Sequence, residues 1–280
     1  MDIPKNPSLP FFAYGVFKPN ELAFLQIKDF VEQCSKAVIP GTLRIRDGLP
    51  IISLEERHGQ VQGSLIQFSA EAGQDAYRRI ADLEPDNQYQ WATVAVGDCE
   101  ANCLAGRSPL KGSTWTTDEW SGRKDPLFNE ALDVVAETLK NNSQFDYDLK
   151  PLFRLEMAYL LLWTCIERYA SLRYHLGNKA TQKVKNLAEE PAFRAALLEY
   201  VCEKRAVQRA DKPTEKYVLD ANDPSKAIDY YYQIRSNLVH RGKGASDDHE
   251  RLEKSLRELL AIFKETLDAA FKVSCWDAEN

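Results

Sequence analysis

Apolar positions recur along this chain with two different periods, and the change of period divides it. Up to about residue 100 they come in short runs or alternate with polar positions. The aromatic run "PFFAYGVF" reaches a glycine at Gly15 and suits a buried strand followed by a turn. "GTLRIRDGLPIIS" alternates around the turn signal Asp47-Gly48. "GQVQGSLIQFS" alternates more cleanly, with Val61, Gly63 and Leu65 on one face and Gln62, Ser64 and Ile66 on the other. "QDAYRRIADLE" sets Ala76, Ile80 and Leu83 on one helical stripe, and "YQWATVAVG" is strand-like again. This order predicts a small mixed, β-barrel-like α+β domain.

Between 106 and 126 the period is lost. Gly, Ser, Thr and Pro cluster there with two tryptophans, Trp115 and Trp120. The stretch is expected to link a domain of residues 1–105 to one of residues 127–280, and its tryptophans predict that it packs on a surface. From 127 onward the spacing is helical. Leu132, Val135 and Leu139 share a face, and "KPLFRLEMAYLLLWTCIERYASLRYHLGN" reads as the central helix, ended by Gly177-Asn178. "EEPAFRAALLEYVCEKR" is amphipathic. Asp223 is the expected N-cap of the next helix, with Pro224 in its first position. A last helix starts at Ser246 or Asp247, with His249 in its exposed first turn. The second domain is therefore expected to be an all-α bundle of five or six helices.

Composition narrows the function without naming it. The chain has 280 residues, is 44% hydrophobic and carries a formal net charge of −6, so it lacks the global basicity of a typical nucleic-acid binder. Residues 1–130 hold 13 basic and 18 acidic side chains, and residues 131–280 hold 23 and 24. An anionic partner is better sought in the second half. The six cysteines are scattered and form no zinc-ligand spacing, which fits free thiols in a reducing cytoplasm. No apolar run is long enough to span a bilayer, and neither a membrane partner nor a cofactor is expected.

"FAYGVFKPN", followed by Gly48…Pro50, Gly63-Ser64-Leu65 and "ADLEPDNQYQWATVAV", resembles the γ-glutamylcyclotransferase-like (avirulence-induced-gene-like) family over residues 11–97. The resemblance implies that Glu84 is the catalytic acid/base. It also implies that Tyr14, Gly15, Val16 and Phe17 form the loop that binds the substrate carboxylate. The chemistry suits those residue types: a carboxylate can take a proton from the attacking α-amine and return it to the leaving nitrogen. Backbone N–H groups of a tight glycine loop can hold a carboxylate. The loop reads Tyr-Gly-Val-Phe where the family has Tyr-Gly-x-Leu, so Phe17 is expected to crowd the pocket. Trp91 stands where the family shows Arg.

"YYYQIRSNLVHRG" within a helical bundle resembles the HEPN family, whose ribonuclease members carry Arg, four to six residues, then His. The resemblance covers about residues 127–275. It implies Arg235 and His240 as catalytic residues, Ser236 and Asn237 as their polar supports, and Glu167 as the acidic residue of the central helix. Cleavage without a metal uses the ribose 2′-OH as nucleophile. Histidine titrates in the right range to take its proton, and an always-charged guanidinium stabilises the charge growing on phosphorus. Five residues rotate a side chain by about 140° on an ideal helix, so Arg235 and His240 do not share a face. Either the helix ends early, near Ser236–Asn237, or two copies of the motif meet. The resemblance implies the second, as a homodimer through the C-terminal domain. Structural alternatives pair Arg235 with Glu167 and leave His240 as a cation at a helix C-terminus.

The leading expectation is a cytoplasmic HEPN-type ribonuclease acting on RNA. A cyclotransferase-like domain would regulate it by sensing a γ-glutamyl or other small molecule, as suits a toxin or phage-defence effector. Lys183, Lys185, Lys204, Arg205, Arg209, Arg241 and Lys243 are candidates for a phosphate-binding rim or for a solvated face. The alternatives are a γ-glutamylcyclotransferase that uses Glu84 and carries a helical dimerisation module, and a non-catalytic binding protein.

Overall fold

The computed structural model describes residues 1–272 except 57, 108–111, 115, 116, 118, 145–148, 175–183 and 242–245, and leaves aside the side chains of 240, 241 and 246–248. The chain forms two compact units, Met1–Asp125 with Ala270–Asn280, and Pro126–Ala269. The first is sheet-rich and the second is largely helical.

The sheet-rich unit contains β1 (Phe11–Ala13), β2 (Val31–Pro40), β3 (Thr42–Arg46), β4 (Leu49–Ser53), β5 (Gln60–Phe68), α1 (Gly73–Leu83), β6 (Tyr89–Val96), β7 (Cys99–Gly106) and β8 (Ser113–Thr114). One sheet has the order β2-β5-β1-β7-β6 and a second the order β4-β3-β8. β1 is antiparallel to β5 and parallel to β7. The edge strands β2 and β6 approach each other, but no ladder joins them among the described residues.

Strand β1 is the centre of this unit, and its three residues are all buried. Phe11 meets Phe17, Tyr77 and Trp91 edge to face, with ring centroids about 6 Å apart. Trp91 thus spends its ring on the core, and its Nε1 donates to the Asp2 carbonyl. β5 lies so close to β1 that a Cβ on Gly63 would sit 2.5 Å from the Ala13 carbonyl oxygen. Asp47 and Gly48 turn β3 into β4 with φ of 53° and 79°, as a type I′ hairpin requires.

The stretch from 106 to 126 supplies β8 and the buried Trp120, whose Nε1 donates to the Gly48 carbonyl. Two buried charges hold it. Lys18 Nζ donates to the Trp120 carbonyl at 2.6 Å and to Glu119, and Glu21 accepts from the Gly122 N–H at 2.9 Å. Burial pushes the Glu21 carboxyl up to about 7, against the pull of Lys18 and the Gly122 N–H.

The helical unit contains α2 (Asn129–Asn141), α3 (Lys150–Tyr174), α4 (Pro191–Tyr200), β9 (Arg205–Gln208), β10 (Lys216–Leu219), α5 (Pro224–Arg241) and α6 (Ser246–Ala270). Leu132, Val135 and Leu139 are buried on α2. Asp223 caps α5 by accepting from the Lys226 N–H at 3.1 Å. The glycine that closes α5 and the Gly177-Asn178 terminator lie outside the described residues.

Two expectations are corrected. The bundle is not all-α: α4 stops at Tyr200, Val201 turns extended, and β9 pairs antiparallel with β10. The hairpin forms because Val207 and Leu219 bury against the helices, while Arg205 runs inward to Glu258 on α6, with an Nη1–Oε1 bond of 2.9 Å. His249 is buried instead of exposed, with Nε2 3.3 Å from the Asn142 carbonyl. The first turn of α6 faces α2, so a ring placed there enters the core.

The contact at Gly63 yields a test. Gly63→Ala should destabilise the protein by about 1–3 kcal/mol, because the Ala13 carbonyl is backbone and cannot swing aside. Urea unfolding of wild type and variant would read it, and equal midpoints would contradict the close approach.

Candidate functional site

Two places collect the candidate residues, one in each unit. In the sheet-rich unit the chain leaves β1 through Tyr14 and turns at Gly15, where the Lys18 N–H donates to the Gly15 carbonyl. A Cβ on Gly15 would lie 2.8 Å from Pro50 Cγ. The N–H groups of Gly15, Val16 and Phe17 make no hydrogen bond among the described residues. Glu84 follows the end of α1 with extended backbone, and Tyr89 opens β6. Tyr14, Gly15, Val16, Phe17, Glu84 and Tyr89 line one cavity of about 30 Å³.

That volume decides what this cavity holds as it stands. It has room for about one or two water molecules, not for a γ-glutamyl group. Phe17, 3% exposed and packed on Phe11, occupies the space next to Glu84. Tyr14 donates to the Leu104 carbonyl at 2.7 Å and Tyr89 to the Pro50 carbonyl at 3.2 Å. The Glu84 carboxyl has no hydrogen-bond or ion-pair partner among the described residues. The residue is partly buried, and that burial pushes its carboxyl up to about 7.

In the helical unit α5 carries the Arg235…His240 motif. The helix is continuous through Arg241, which removes the alternative that it ends near Ser236–Asn237. Within one chain positions 235 and 240 therefore lie about 140° apart around the axis of α5. The His240 side chain lies outside the described residues. Arg235 is half-exposed. Its Nη2 donates to Glu167 Oε1 on α3 at 3.2 Å, and its guanidinium lies 5.7 Å from the Tyr232 ring centroid. Tyr232 in turn meets Trp163 edge to face. The structural alternative of an Arg235–Glu167 pair is thus present, at the surface and not in the core.

Ser236 and Asn237 part company. Asn237 Oδ1 accepts from the Ala210 N–H at 3.1 Å and its Nδ2 donates to the Gln208 carbonyl at 2.9 Å, so it fastens the β9–β10 turn to α5. Ser236 lines a groove of about 700 Å³ between that turn and α5. A neighbouring groove of about 550 Å³ runs along the other side of the hairpin. Of the basic rim, Lys183 and Lys243 and the Arg241 side chain lie outside the described residues. The others are engaged by carboxylates: Lys185 by Asp229, Lys204 by Asp220, Arg205 by Glu258, and Arg209 by Asp211 and Glu215. They offer a phosphate little uncompensated charge. Among the described residues, no three His, Cys, Asp or Glu side chains converge as metal ligands would. No described helix is long and apolar enough to cross a membrane.

Tyr217, Tyr232 and Gln233 line the larger groove and were not singled out by sequence. Tyr232 and Gln233 stand inside the motif stretch itself, three and two residues before Arg235. Tyr217 had no signal, because its strand was not expected.

No family model matches the chain, and no curated protein matches it. Among solved structures, an uncharacterized protein from Pyrococcus horikoshii is similar at a TM-score of 0.33 and 15% identity, over 40% of this chain and 89% of that one. A likeness of that size carries no argument for either unit.

The partly buried Glu84 generates a pH prediction. Between about 4.5 and 7 the folded chain holds a proton at Glu84 that the unfolded chain has released, so stability falls as pH rises through that window. Glu21 acts in the same window and direction. Glu84→Gln should flatten the fall between pH 5 and pH 8 by on the order of 1–3 kcal/mol. An unchanged slope in urea melts at the two pH values would place the Glu84 carboxyl in water instead.

Asn237 gives a second test. Asn237→Ala should speed amide exchange at Ala210 and in the β9–β10 turn while α3 and α6 keep their protection. Unchanged exchange at Ala210 would remove the fastening role.

Proposed function

We propose that the chain is a metal-independent ribonuclease of HEPN type whose active site is completed by a second copy of itself. One observation supports this most. Arg235 stands half-exposed with a guanidinium held in place by Glu167 and Tyr232, and among the described residues only one of its five N–H donors is engaged. An exposed ion pair of this kind is worth about 1 kcal/mol or less, so a phosphodiester can compete for the guanidinium. The four free donors match the oxygens of a phosphorane.

In the proposed reaction His240 takes the proton of a ribose 2′-OH. The 2′-oxygen attacks the adjacent phosphorus and the 5′-oxygen leaves with a proton. Arg235 neutralises the charge on the non-bridging oxygens in between. The products are a 2′,3′-cyclic phosphate and a 5′-OH. The continuous α5 separates Arg235 from His240 of the same chain, so the pair is formed between copies of a homodimer through the helical unit. The sheet-rich unit, with its cyclotransferase-like pattern, is the proposed sensing domain of a toxin or phage-defence effector.

Purified wild-type protein should cleave RNA to 2′,3′-cyclic phosphate ends, and Arg235→Ala and His240→Ala should each lose cleavage while keeping the fold. Mixing the two inactive variants should restore roughly a quarter of the wild-type rate, since half of randomly re-formed dimers carry one intact composite site. Equal cleavage by wild type and His240→Ala would sink the nuclease. Inactive variants that stay inactive after mixing would sink the shared site.

A second reading has its own observation. The Glu84 residue, its carboxyl raised to about 7, lines one cavity with the Gly15–Phe17 loop, whose N–H groups are unpaired among the described residues, a pairing that suits an acid/base for γ-glutamyl cyclisation. The cavity is closed by Phe17, so this activity requires the ring to move. Phe17→Leu should then release 5-oxoproline from γ-glutamyl peptides, and Phe17→Leu combined with Glu84→Gln should not. A silent Phe17→Leu variant across a broad γ-glutamyl panel removes this reading.

A further inference from the structure

The groove beside Arg235 carries a built polar feature that the nuclease chemistry does not use. Asn237 cannot be turned round, because the Ala210 N–H must meet an oxygen and the Gln208 carbonyl must meet an N–H. Its Oδ1 is therefore an acceptor, and Gln233, one turn earlier on α5, presents Nε2 to it at 2.7 Å. This fixes the other end of the Gln233 amide. Oε1 is left without a partner among the described residues, on a side chain only 7% exposed that lines the groove. An amide oxygen left open on a residue that lines a groove is an acceptor available to a donor that enters it.

The walls say what kind of donor. β10 alternates its side chains, so Tyr217 lines this groove while Lys216 lines the neighbouring one. Tyr232 lines the same groove from α5, and among the described residues no ring contact joins the two tyrosines. Lys185 is paired with Asp229 and Arg209 with Asp211, so these walls carry no surplus charge for an anion. At about 700 Å³ the groove is of a size that takes small organic ligands. Its lining suits a flat neutral ring with an N–H edge. Ser236, adjacent to Arg235, lines it too, which sets the groove alongside the proposed phosphate position.

We propose that this groove receives an unpaired nucleobase, stacked against Tyr217 and donating from its amino or imino edge to Gln233 Oε1. The strand that carries the base is RNA; this assignment rests on the ribonuclease reading, whereas base recognition itself does not. The groove then selects single-stranded substrate, because a base within a duplex has no free face to stack and its Watson–Crick edge is already paired.

The test uses the full chain and fluorescein-labelled, fully 2′-O-methylated short RNA strands, which have no 2′-OH to attack, with an abasic strand of the same length as control. Anisotropy should show the base-bearing strand bound more tightly than the abasic one. Tyr217→Ala should weaken it at least roughly fivefold while Tyr217→Phe stays within about twofold. Gln233→Met, which keeps the shape and removes both the Oε1 acceptor and the Nε2 donor to Asn237, should weaken strands of adenine or cytosine while leaving the abasic strand unchanged. Equal affinity of Tyr217→Ala and wild type, equal affinity for base-bearing and abasic strands, or no binding to either would overturn the proposal. Tyr217-dependent binding of a free nucleoside monophosphate with no gain from the strand would keep base recognition and overturn the RNA assignment. Tyr217-dependent strand binding by a protein that never cleaves RNA would count against the nuclease alone.

Discussion

The rotational setting of α5 is the constraint on which the helical unit depends. Ala227, Ile228, Tyr230, Tyr231 and Ile234 are buried along one side of this helix. Three hydroxyl contacts lock that side in place. Tyr159 on α3 donates to the Tyr231 carbonyl at 2.9 Å, Tyr230 pairs with Ser255 on α6 at 3.2 Å, and Tyr231 donates to Glu258 at 3.2 Å. Rotating α5 by one residue, about 100°, would break all three and bury a charged or amide side chain instead. Everything α5 offers to a ligand follows from this. Arg235, Ser236 and Val239 remain on the accessible side because their neighbours are held in the core.

The hairpin β9–β10 then determines what the accessible side can do. It is anchored at its base by Arg205 meeting Glu258 in the interior, and at its turn by Asn237. Between these anchors it raises a wall beside α5 and turns a plain helix surface into grooves. The ion pairs along this wall compensate one another, so the local field is weak. Arg235 differs from Arg209 because a single N–H donor meets a single carboxylate, whereas Arg209 is held through three nitrogens by Asp211 and Glu215.

The sheet-rich unit shows the opposite balance between packing and reactivity. Its loop after β1, its carboxyl at Glu84 and its two buried tyrosines converge on one point, yet the space there is close to filled. A partly buried carboxyl without a counter-charge, raised to about 7, costs stability above neutrality. Lys18 and Glu21, just beyond the same loop, spend buried charge on holding residues 119–122. The loop is thus tied on one side to β1 and on the other to the end of this unit.

Sequence by itself determined the elements that rest on local chemistry. Asp47-Gly48 reads as a hairpin turn because few residues tolerate positive φ twice in succession. Asp223-Pro224 reads as a helix start because the cap and the fixed φ act within one turn. The division into a sheet-rich and a helical part followed from periodicity, and so did the buried stripe of α2. The candidate residues Arg235, Glu167 and Glu84 were picked out because short motifs around them resemble those of known families. Tertiary structure decided the rest. β2 and β7 carry weak patterns, since their burial comes from neighbours across the sheet and not from their own alternation. The hairpin β9–β10 depends on Glu258 on a helix far along the chain, which no local window contains. His249 looked like an exposed first-turn residue until α2 was placed against it. Gln233 became chemically interesting only once Ala210 and Gln208 had fixed Asn237, a chain of hydrogen bonds between segments that sequence cannot bring together. Local propensity acts through neighbours in the chain, whereas burial, unpaired polar atoms and cavity size are properties of neighbours in space.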